Sequence, residues 1–140
     1  YETELRKLVQ RLSLAERVIF VGQLEERDLH ACYQAATLFI HPTLYEGSSL
    51  VTLEAMTHAL PVVATRVGGL PDKIEAGVNG WLVNPGDVTG LSQTVGNALL
   101  QPGRLVAMGR AGRAIVEKKF AWPAVIQQLL GLYDDLLSQG

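Results

Sequence analysis

Two isolated carboxylates, Glu46 and Glu54, are the side chains of this sequence best placed to do chemistry. They are the only formally charged residues between Asp28 and Arg66, and the stretch around them, YEGSSLVTLEAM, is mostly apolar. A carboxylate is costly to bury, but it is a good acceptor for paired hydroxyl groups. We therefore expect vicinal hydroxyls, such as those of a ribose, against Glu54, and a sugar hydroxyl against Glu46. The alternative is that both side chains are simply solvated.

The small residues that follow Glu46 predict a site for an anion. We expect a helix over SSLVTLEAMTHA that begins near Ser48 or Ser49. Its free backbone N–H groups and the positive end of its dipole would bind a phosphate without basic side chains. Gly47 would allow close approach of the backbone, and either serine could cap the helix or contact an oxygen.

The elements that must position these residues alternate along the chain. Strands are predicted for the runs RVIFV, TLFIHP, PVVAT and WLV, with helical stripes between and after them. The uninterrupted apolar run PVVAT is typical of a parallel sheet that is covered on both faces. We therefore predict an α/β fold, a Rossmann-like open parallel sheet with helices on both faces. Ligands of such sheets bind beyond the carboxyl ends of the strands, where TLFIHP leads into Glu46.

Turn and cap residues predict further boundaries. Pro71 should begin a short helix, PDKIEA, that ends at Gly77, and Asp87 should be the N-cap of the next helix. The length of 140 residues fits one domain. Because the sequence opens on a crossover helix with no strand before it, we expect residues 1–140 to be the later part of a longer polypeptide.

Composition excludes several classes of partner. A net charge of -2 gives no general reason to bind nucleic acid, and no apolar run reaches the length of a membrane span, so we expect a cytoplasmic protein. The single cysteine, Cys32, cannot form an internal disulfide, and its helical spacing from apolar neighbours predicts a small buried side chain. The histidines show no zinc-site spacing, so we expect no metal and no cofactor. They are His30, His41 and His58.

The stretch from His41 to Asp87 resembles the carboxyl-terminal domain of the retaining nucleotide-sugar glycosyltransferases of family 4, often called group 1. The resemblance consists of Glu46 and Glu54 with seven residues between them, followed in the family's order by LPVVAT, GGLPD and GVNGWLV. It extends from RLSLAERVIFVGQL to the break at FAWP. The resemblance implies one half of the two-domain GT-B architecture, the half that binds the nucleotide-sugar donor. The partner of this half would be the N-terminal, acceptor-binding domain of the same protein.

The resemblance also implies a role for each candidate residue. Glu46 would meet the donor sugar and is the predicted catalytic residue, whereas Glu54 would hold the ribose hydroxyls. The backbone from Gly47 to Val51 would contact the diphosphate and the sugar of a UDP-, GDP- or ADP-sugar. The loop from Gly22 to Leu24 would contact the base. The donor-binding residues predicted in this way are Gly22, Gln23, Leu24, Gly47, Ser48, Ser49, Leu50, Val51 and Glu54.

By the same resemblance, a sugar is transferred with retention at the anomeric carbon and without a metal ion, and a phosphate oxygen takes the acceptor's proton. The sequence departs from the family at EGSSL, where Gly-Phe-Gly is common after the glutamate, and at Asp72, where glutamate is usual. Neither change removes a backbone N–H group, so we expect binding of the nucleotide sugar to be kept. The preference for a particular sugar is what these changes affect. The family's diphosphate-neutralising Arg and Lys would lie upstream, so we expect this chain alone to be inactive.

Two other functions fit the same pattern. One is a nucleotide-sugar epimerase or phosphorylase of the same fold, and the other is a non-catalytic relative that binds a partner through the crevice or the last helix. His41 is expected to pack or to hydrogen-bond within a loop, and Phe120 and Trp122 to pack as anchors. The basic residues of the late helices predict a solvated surface, with peripheral membrane contact of the full-length protein as the alternative. These residues are Arg104, Arg110, Arg113, Lys118 and Lys119.

Overall fold

The computed structural model describes residues 1–138. Residues 1–31 form one compact unit, and the chain from Cys32 onward forms a second. The elements, in chain order, are α1 (Glu2–Arg11), α2 (Glu26–Ala35), β1 (Phe39–His41), α3 (Leu50–Thr57), β2 (Val62–Thr65), α4 (Leu70–Lys73), β3 (Gly80–Val83), α5 (Val88–Leu99), α6 (Pro102–Ile115) and α7 (Trp122–Ser138). A π-helical turn, Val116–Phe120, follows α6 directly.

The first unit does not contain the strand predicted for RVIFV. Residues 18–21 have no regular secondary structure, and the N–H of Val18 donates to the carbonyl of Leu14 at 3.0 Å, as in a turn. Ile19 and Val21 are 84% and 55% exposed. A β-branched run forms a strand only where a neighbouring strand supplies hydrogen bonds and a surface on which to pack. The prediction of a strand at this position is therefore wrong for the described chain.

The second unit contains a parallel sheet, and within residues 1–138 that sheet has three strands in the order β1-β2-β3. Phe39 of β1 pairs with Val62 of β2, which pairs in turn with Gly80 of β3. Every residue of β2 is buried, although successive side chains of a strand point to opposite faces. Both faces of the central strand are therefore covered. The predicted α/β fold with a parallel sheet flanked by helices is confirmed.

The core attaches α3 firmly to the sheet. Met56 of α3 packs with Val62 and Ala64 of β2 and with Leu70 and Ile74 in and after α4, and each is at most 2% exposed. Partly buried apolar side chains surround this cluster: Phe39, Leu53, Val67, Leu82, Ile115 and Val116. Because α3 is held along its length, the position of its first turn relative to β1 and β2 is set by the core.

A buried amide side chain ends α4 earlier than the sequence predicts. The helix stops at Lys73 rather than before Gly77, and Ile74 is extended. Asn79, which is fully buried, accepts a hydrogen bond from the N–H of Glu75 at 2.7 Å and donates to the carbonyl of Lys73 at 2.9 Å. These bonds satisfy backbone groups that a longer helix would have used.

The remaining elements agree with the sequence except in two cases of burial. Asp87 caps α5 as predicted, accepting from the N–H of Gly90 at 2.8 Å. Cys32 is exposed rather than buried, and Trp122 is 78% exposed rather than packed. Spacing alone cannot tell which side of a helix will meet the core.

Among residues 1–138, no helix is both long and apolar enough to cross a bilayer.

Replacement of Asn79 tests the buried amide. Asn79→Ala should lower the free energy of unfolding by about 2 kcal/mol, because it leaves the N–H of Glu75 and the carbonyl of Lys73 without these partners. Urea denaturation of the full-length protein measures this loss. Asn84→Ala is the matched control, since Asn84 is exposed, and it should change the stability little. Equal stability of the two variants would contradict the role given to Asn79.

Candidate functional site

The loop between β1 and α3 is attached to the loop that follows β2. These strands are parallel neighbours, so their carboxyl ends and the loops that follow them lie side by side. The hydroxyl of Thr65 donates to the carbonyl of Thr43. The N–H of Gly69 donates to the carbonyl of Gly47 at 2.9 Å. The loop that carries Glu46 is therefore fixed at two points.

Gly68 allows this close approach. Its φ of +50° lies in the left-handed region, and a Cβ at this position would overlap the carbonyl oxygen of Glu46. The GGLPD segment thus places backbone directly against the backbone of the Glu46 loop. A residue with a side chain at position 68 would push the two loops apart.

The first turn of α3 decides between the two candidate serines. Ser49 is the N-cap, and its buried hydroxyl accepts from the N–H of Thr52 at 3.4 Å and lies 2.8 Å from the Thr52 hydroxyl. The amides of Leu50 and Val51, at the start of the helix, have no acceptor within the helix. The hydroxyl of Ser49 is thus used within the helix cap, whereas Ser48 is exposed.

Glu46 is oriented by a histidine. Its Oε2 lies 3.0 Å from Nε2 of His41, and the two side chains are 23% and 22% exposed. The His41 ring stacks on Phe39 with 6.0 Å between the ring centroids. The loop hydrogen bond expected of His41 is therefore present, and it is made to the predicted catalytic residue itself.

Glu54 lies in the second turn of α3 and is held by Tyr33 of α2. The Tyr33 hydroxyl donates to Oε2 of Glu54 at 3.2 Å, and the Tyr33 ring stacks on His58 with centroids 5.3 Å apart. Burial, and then the nearby Glu54 carboxylate, raise the pKa of Tyr33 to about 12. The hydroxyl therefore stays a neutral donor. Sequence reasoning missed this role, although a tyrosine at a buried helical position needs a partner for its O–H.

Lys73 is a second residue that sequence reasoning missed. It is 5% exposed, and its Nζ donates to the Ser48 hydroxyl oxygen at 3.1 Å and to the carbonyl of Gly69 at 3.3 Å. The Phe120 ring centroid lies 5.9 Å from the same ammonium. The available signal was its place directly before the apolar residue Ile74, within the short predicted helix PDKIEA.

The predicted base-binding loop belongs to the other unit. Gly22, Gln23 and Leu24 precede α2 within residues 1–31, and Gly22 has a φ of +62°, which favours glycine. Their contact with a base stays a prediction.

In the described part of the chain, no three His, Cys, Asp or Glu side chains come together as a metal site would need. A cavity of about 360 Å³ between α5 and α6, lined in part by Trp81 and Arg104, contains none of the predicted site residues.

The fold and the candidate site together define a Rossmann-like α/β domain, in which a helix N-terminus at the carboxyl edge of a parallel sheet has a carboxylate before it and another after it. The family described as "Glycosyl transferases group 1" matches residues 1–101. The chain belongs to this family of glycosyltransferases. The resemblance stated from the sequence is confirmed at the level of family and fold, and the chain fits the C-terminal domain of such an enzyme.

Individual relatives agree with this membership. The chain is 33% identical over 134 residues to the MMP alpha-(1->4)-mannosyltransferase of Mycolicibacterium hassiacum, covering 95% of this chain and 33% of that protein. It is 36% identical over 135 residues to a D-inositol 3-phosphate glycosyltransferase of Acidothermus cellulolyticus, covering 96% of this chain and 30% of that protein. The chain therefore spans about a third of the length of these relatives.

Solved structures of the GT-B glycosyltransferases show the same fold. Sucrose-phosphate synthase from Thermosynechococcus elongatus aligns with a TM-score of 0.85 and 35% identity, over 99% of this chain and 35% of that one. HepE from Anabaena, solved in complex with UDP, aligns with a TM-score of 0.85 and 29% identity. The alignment covers 96% of this chain and 37% of HepE. The prediction that this chain has the fold of one half of a GT-B enzyme is thus confirmed.

Gly68→Ala tests the contact between the two loops. The variant should lose roughly 2 kcal/mol or more of stability, since it combines backbone strain at positive φ with a clash against Glu46. Gly86→Ala is the matched control, because Gly86 has a φ of +78° but open space around it. Its loss of stability should therefore come from backbone strain alone and be smaller. Thermal or urea unfolding of both full-length variants compares them. Equal losses would show that the clash does not matter.

Tyr33→Phe tests the hydroxyl that holds Glu54. The folded-state pKa is raised above the usual value of about 10, so the stabilisation is complete below about pH 10 and is lost as the pH rises through about 12. The difference in unfolding free energy between wild type and Tyr33→Phe should shrink by about 1–2 kcal/mol between about pH 9 and about pH 12. Urea denaturation at several pH values measures it. A difference that does not change with pH would contradict this account.

Proposed function

We propose that this chain binds the nucleotide-sugar donor of a retaining, metal-independent glycosyltransferase, which transfers the sugar from a nucleoside diphosphate to an acceptor. Its N-terminal partner domain would belong to the same protein and bind the acceptor. The proposal rests on the donor-site geometry and on the family membership. Its finer parts, namely the donor class, the stereochemistry and the roles of individual residues, are inferences from both.

One observation carries the proposal. The first turn of α3 offers backbone amides at the carboxyl edge of the sheet, Glu46 precedes that turn on the loop, and Glu54 follows it on the helix. Amides at a helix N-terminus bind phosphate, and carboxylates accept from sugar hydroxyls. A nucleoside diphosphate sugar has the matching order of groups, since its diphosphate lies between the ribose and the donor sugar. We assign the ribose to Glu54 and the donor sugar to Glu46.

The related structures support a nucleotide ligand. HepE, which aligns at 28% identity over 96% of this chain and 37% of its own, has been solved with UDP-glucose as well as with UDP. Sucrose-phosphate synthase belongs to the same set of structural neighbours. We infer from these relatives that the ligand of this chain is a nucleoside diphosphate sugar. The base and the sugar are left to experiment among UDP-, GDP- and ADP-sugars.

The chemistry proposed for the site is retention at the anomeric carbon. The acceptor attacks from the face that the diphosphate leaves, and a phosphate oxygen takes its proton. The amides of Leu50 and Val51 would stabilise the charge that develops on the departing diphosphate, since they are fixed before the reaction begins. Glu46 would interact with the donor sugar and is not proposed as a nucleophile, because a glycosidase-type mechanism needs a second carboxyl as acid nearby. We propose no cofactor and no metal ion.

Two charge-neutral substitutions in the full-length enzyme test the roles of the acids. Glu54→Gln should weaken nucleotide binding by roughly tenfold, because a charged acceptor for the ribose hydroxyls is lost. Glu46→Gln should lower kcat by about 100-fold and change nucleotide affinity little. Calorimetric titration with UDP, GDP and ADP, combined with a sugar-transfer assay, measures both effects.

Glu75→Gln is the matched control, since Glu75 is an exposed glutamate that follows α4, and it should behave as wild type. Wild-type behaviour of both Glu46→Gln and Glu54→Gln would rule out the site assignment. Absence of any nucleotide binding by the wild-type protein would instead favour a non-catalytic relative that uses this surface for another partner.

A further inference from the structure

Lys73 is a buried cation with no anionic partner in the part of the chain that the structure describes. It is 5% exposed, and the two hydrogen bonds of its ammonium go to uncharged oxygens, those of Ser48 and Gly69. Lysine is rarely buried without a carboxylate, because desolvation of its charge is costly. A charge kept in this state suggests that its counter-charge comes from a ligand.

The position of Lys73 is set by the structure around it. Its own carbonyl accepts from Asn79, which fixes the end of α4, and the Phe120 ring lies against the ammonium. Gly69, whose carbonyl accepts from Nζ, donates its N–H to the carbonyl of Gly47. The ammonium is thus attached to the same two loops that form the proposed phosphate site. A flexible surface lysine would not be positioned in this way.

The contact with Ser48 determines what that serine can do. An ammonium can only donate hydrogen bonds, so the Ser48 oxygen is the acceptor at 3.1 Å. The serine's own proton is then free to donate to another group. Ser48 is exposed, whereas the hydroxyl of Ser49 is buried in the helix cap. The free O–H therefore belongs to the residue directly before the cap, beside the amides of the first turn.

We propose that Lys73 is a positioning residue for the donor's diphosphate, acting through the Ser48 hydroxyl; this rests on the donor-binding function proposed above. The ammonium polarises the Ser48 O–H and holds it as a donor toward a phosphate oxygen. It also brings a positive charge to a site that the sequence predicts to work by backbone amides alone. The ligand chemistry that this arrangement selects is a phosphate or diphosphate group and not the nucleoside.

Lys73→Met in the full-length protein tests the inference, because methionine has a similar length and no charge. The dissociation constant is measured for whichever of UDP, GDP and ADP binds the wild type, and for the corresponding nucleoside. We expect Lys73→Met to bind the diphosphate roughly tenfold more weakly and the nucleoside as well as wild type does. Lys118→Met, a change at an exposed lysine, is the matched control and should change neither constant.

Ser48→Ala and the double variant Ser48→Ala/Lys73→Met test whether the lysine acts through the serine. The affinity loss in the double variant should be smaller than the product of the two single losses. Thermal unfolding should show Lys73→Met to be at least as stable as wild type, since replacing a buried charge by an apolar group is often neutral or stabilising. A weaker diphosphate affinity then cannot be attributed to unfolding.

Three results would overturn the inference while leaving the donor-binding function in place. They are unchanged diphosphate affinity in Lys73→Met, an equal loss for the diphosphate and the nucleoside, and fully additive losses in the double variant. Failure of the wild type to bind any of the three diphosphates would be a different outcome. It would overturn the proposed function and, with it, this role of Lys73.

Discussion

The hydrogen bond from the N–H of Gly69 to the carbonyl of Gly47, 2.9 Å long, is the contact on which the site depends. It joins the loop after β2 to the loop after β1, and Gly68 brings the two backbones close enough for it to form. Amides at a helix N-terminus bind an anion well only if they already point in the required direction. The core packing of α3 and the backbone of the neighbouring loop together fix the direction of these amides.

The topology of the sheet makes this contact possible. Consecutive parallel strands that lie side by side bring their carboxyl-end loops together, and a fully buried β2 leaves little freedom for the strand that carries the second loop. Met56 and Leu70 join α3 and α4 to the same core cluster. The two helices, α3 with its N-terminal amides and α4 with Lys73, therefore pack on the same core. This shared packing limits the movement of the groups around the site relative to one another.

Much of this could be predicted from sequence, because local chemistry decides it. The parallel sheet follows from the apolar run PVVAT, and the helix start at Ser49 follows from serine's preference for the N-cap. The isolation of Glu46 and Glu54 in an apolar stretch led to the site predicted at the loop after β1 and at α3, and the family is confirmed. Their functional roles, together with the base-binding loop, the cytoplasmic location and membrane contact, stay predictions.

The failures have a common physical origin in contacts between residues distant in sequence. The RVIFV run has the composition of a strand, but composition cannot supply the neighbouring backbone that a strand needs. Helical spacing placed Cys32 among apolar residues without showing which side of α2 meets the core. The bonds from Tyr33 to Glu54, 21 residues apart, and from Lys73 to Ser48, 25 residues apart, become visible only in the folded chain.

The charged groups of the site are held by partners of different kinds, and this difference fits a division of tasks. Glu54 accepts through Oε2 from the hydroxyl of Tyr33, and the raised pKa of Tyr33 keeps that hydroxyl a neutral donor. A carboxylate held in this way fits the ribose-binding role that we propose for Glu54. Glu46 instead lies 3.0 Å from the imidazole of His41, and this contact orients the carboxylate that we propose to meet the donor sugar. Lys73 contacts two uncharged oxygens and an aromatic ring, and this environment fits its proposed role beside an anion at the helix N-terminus.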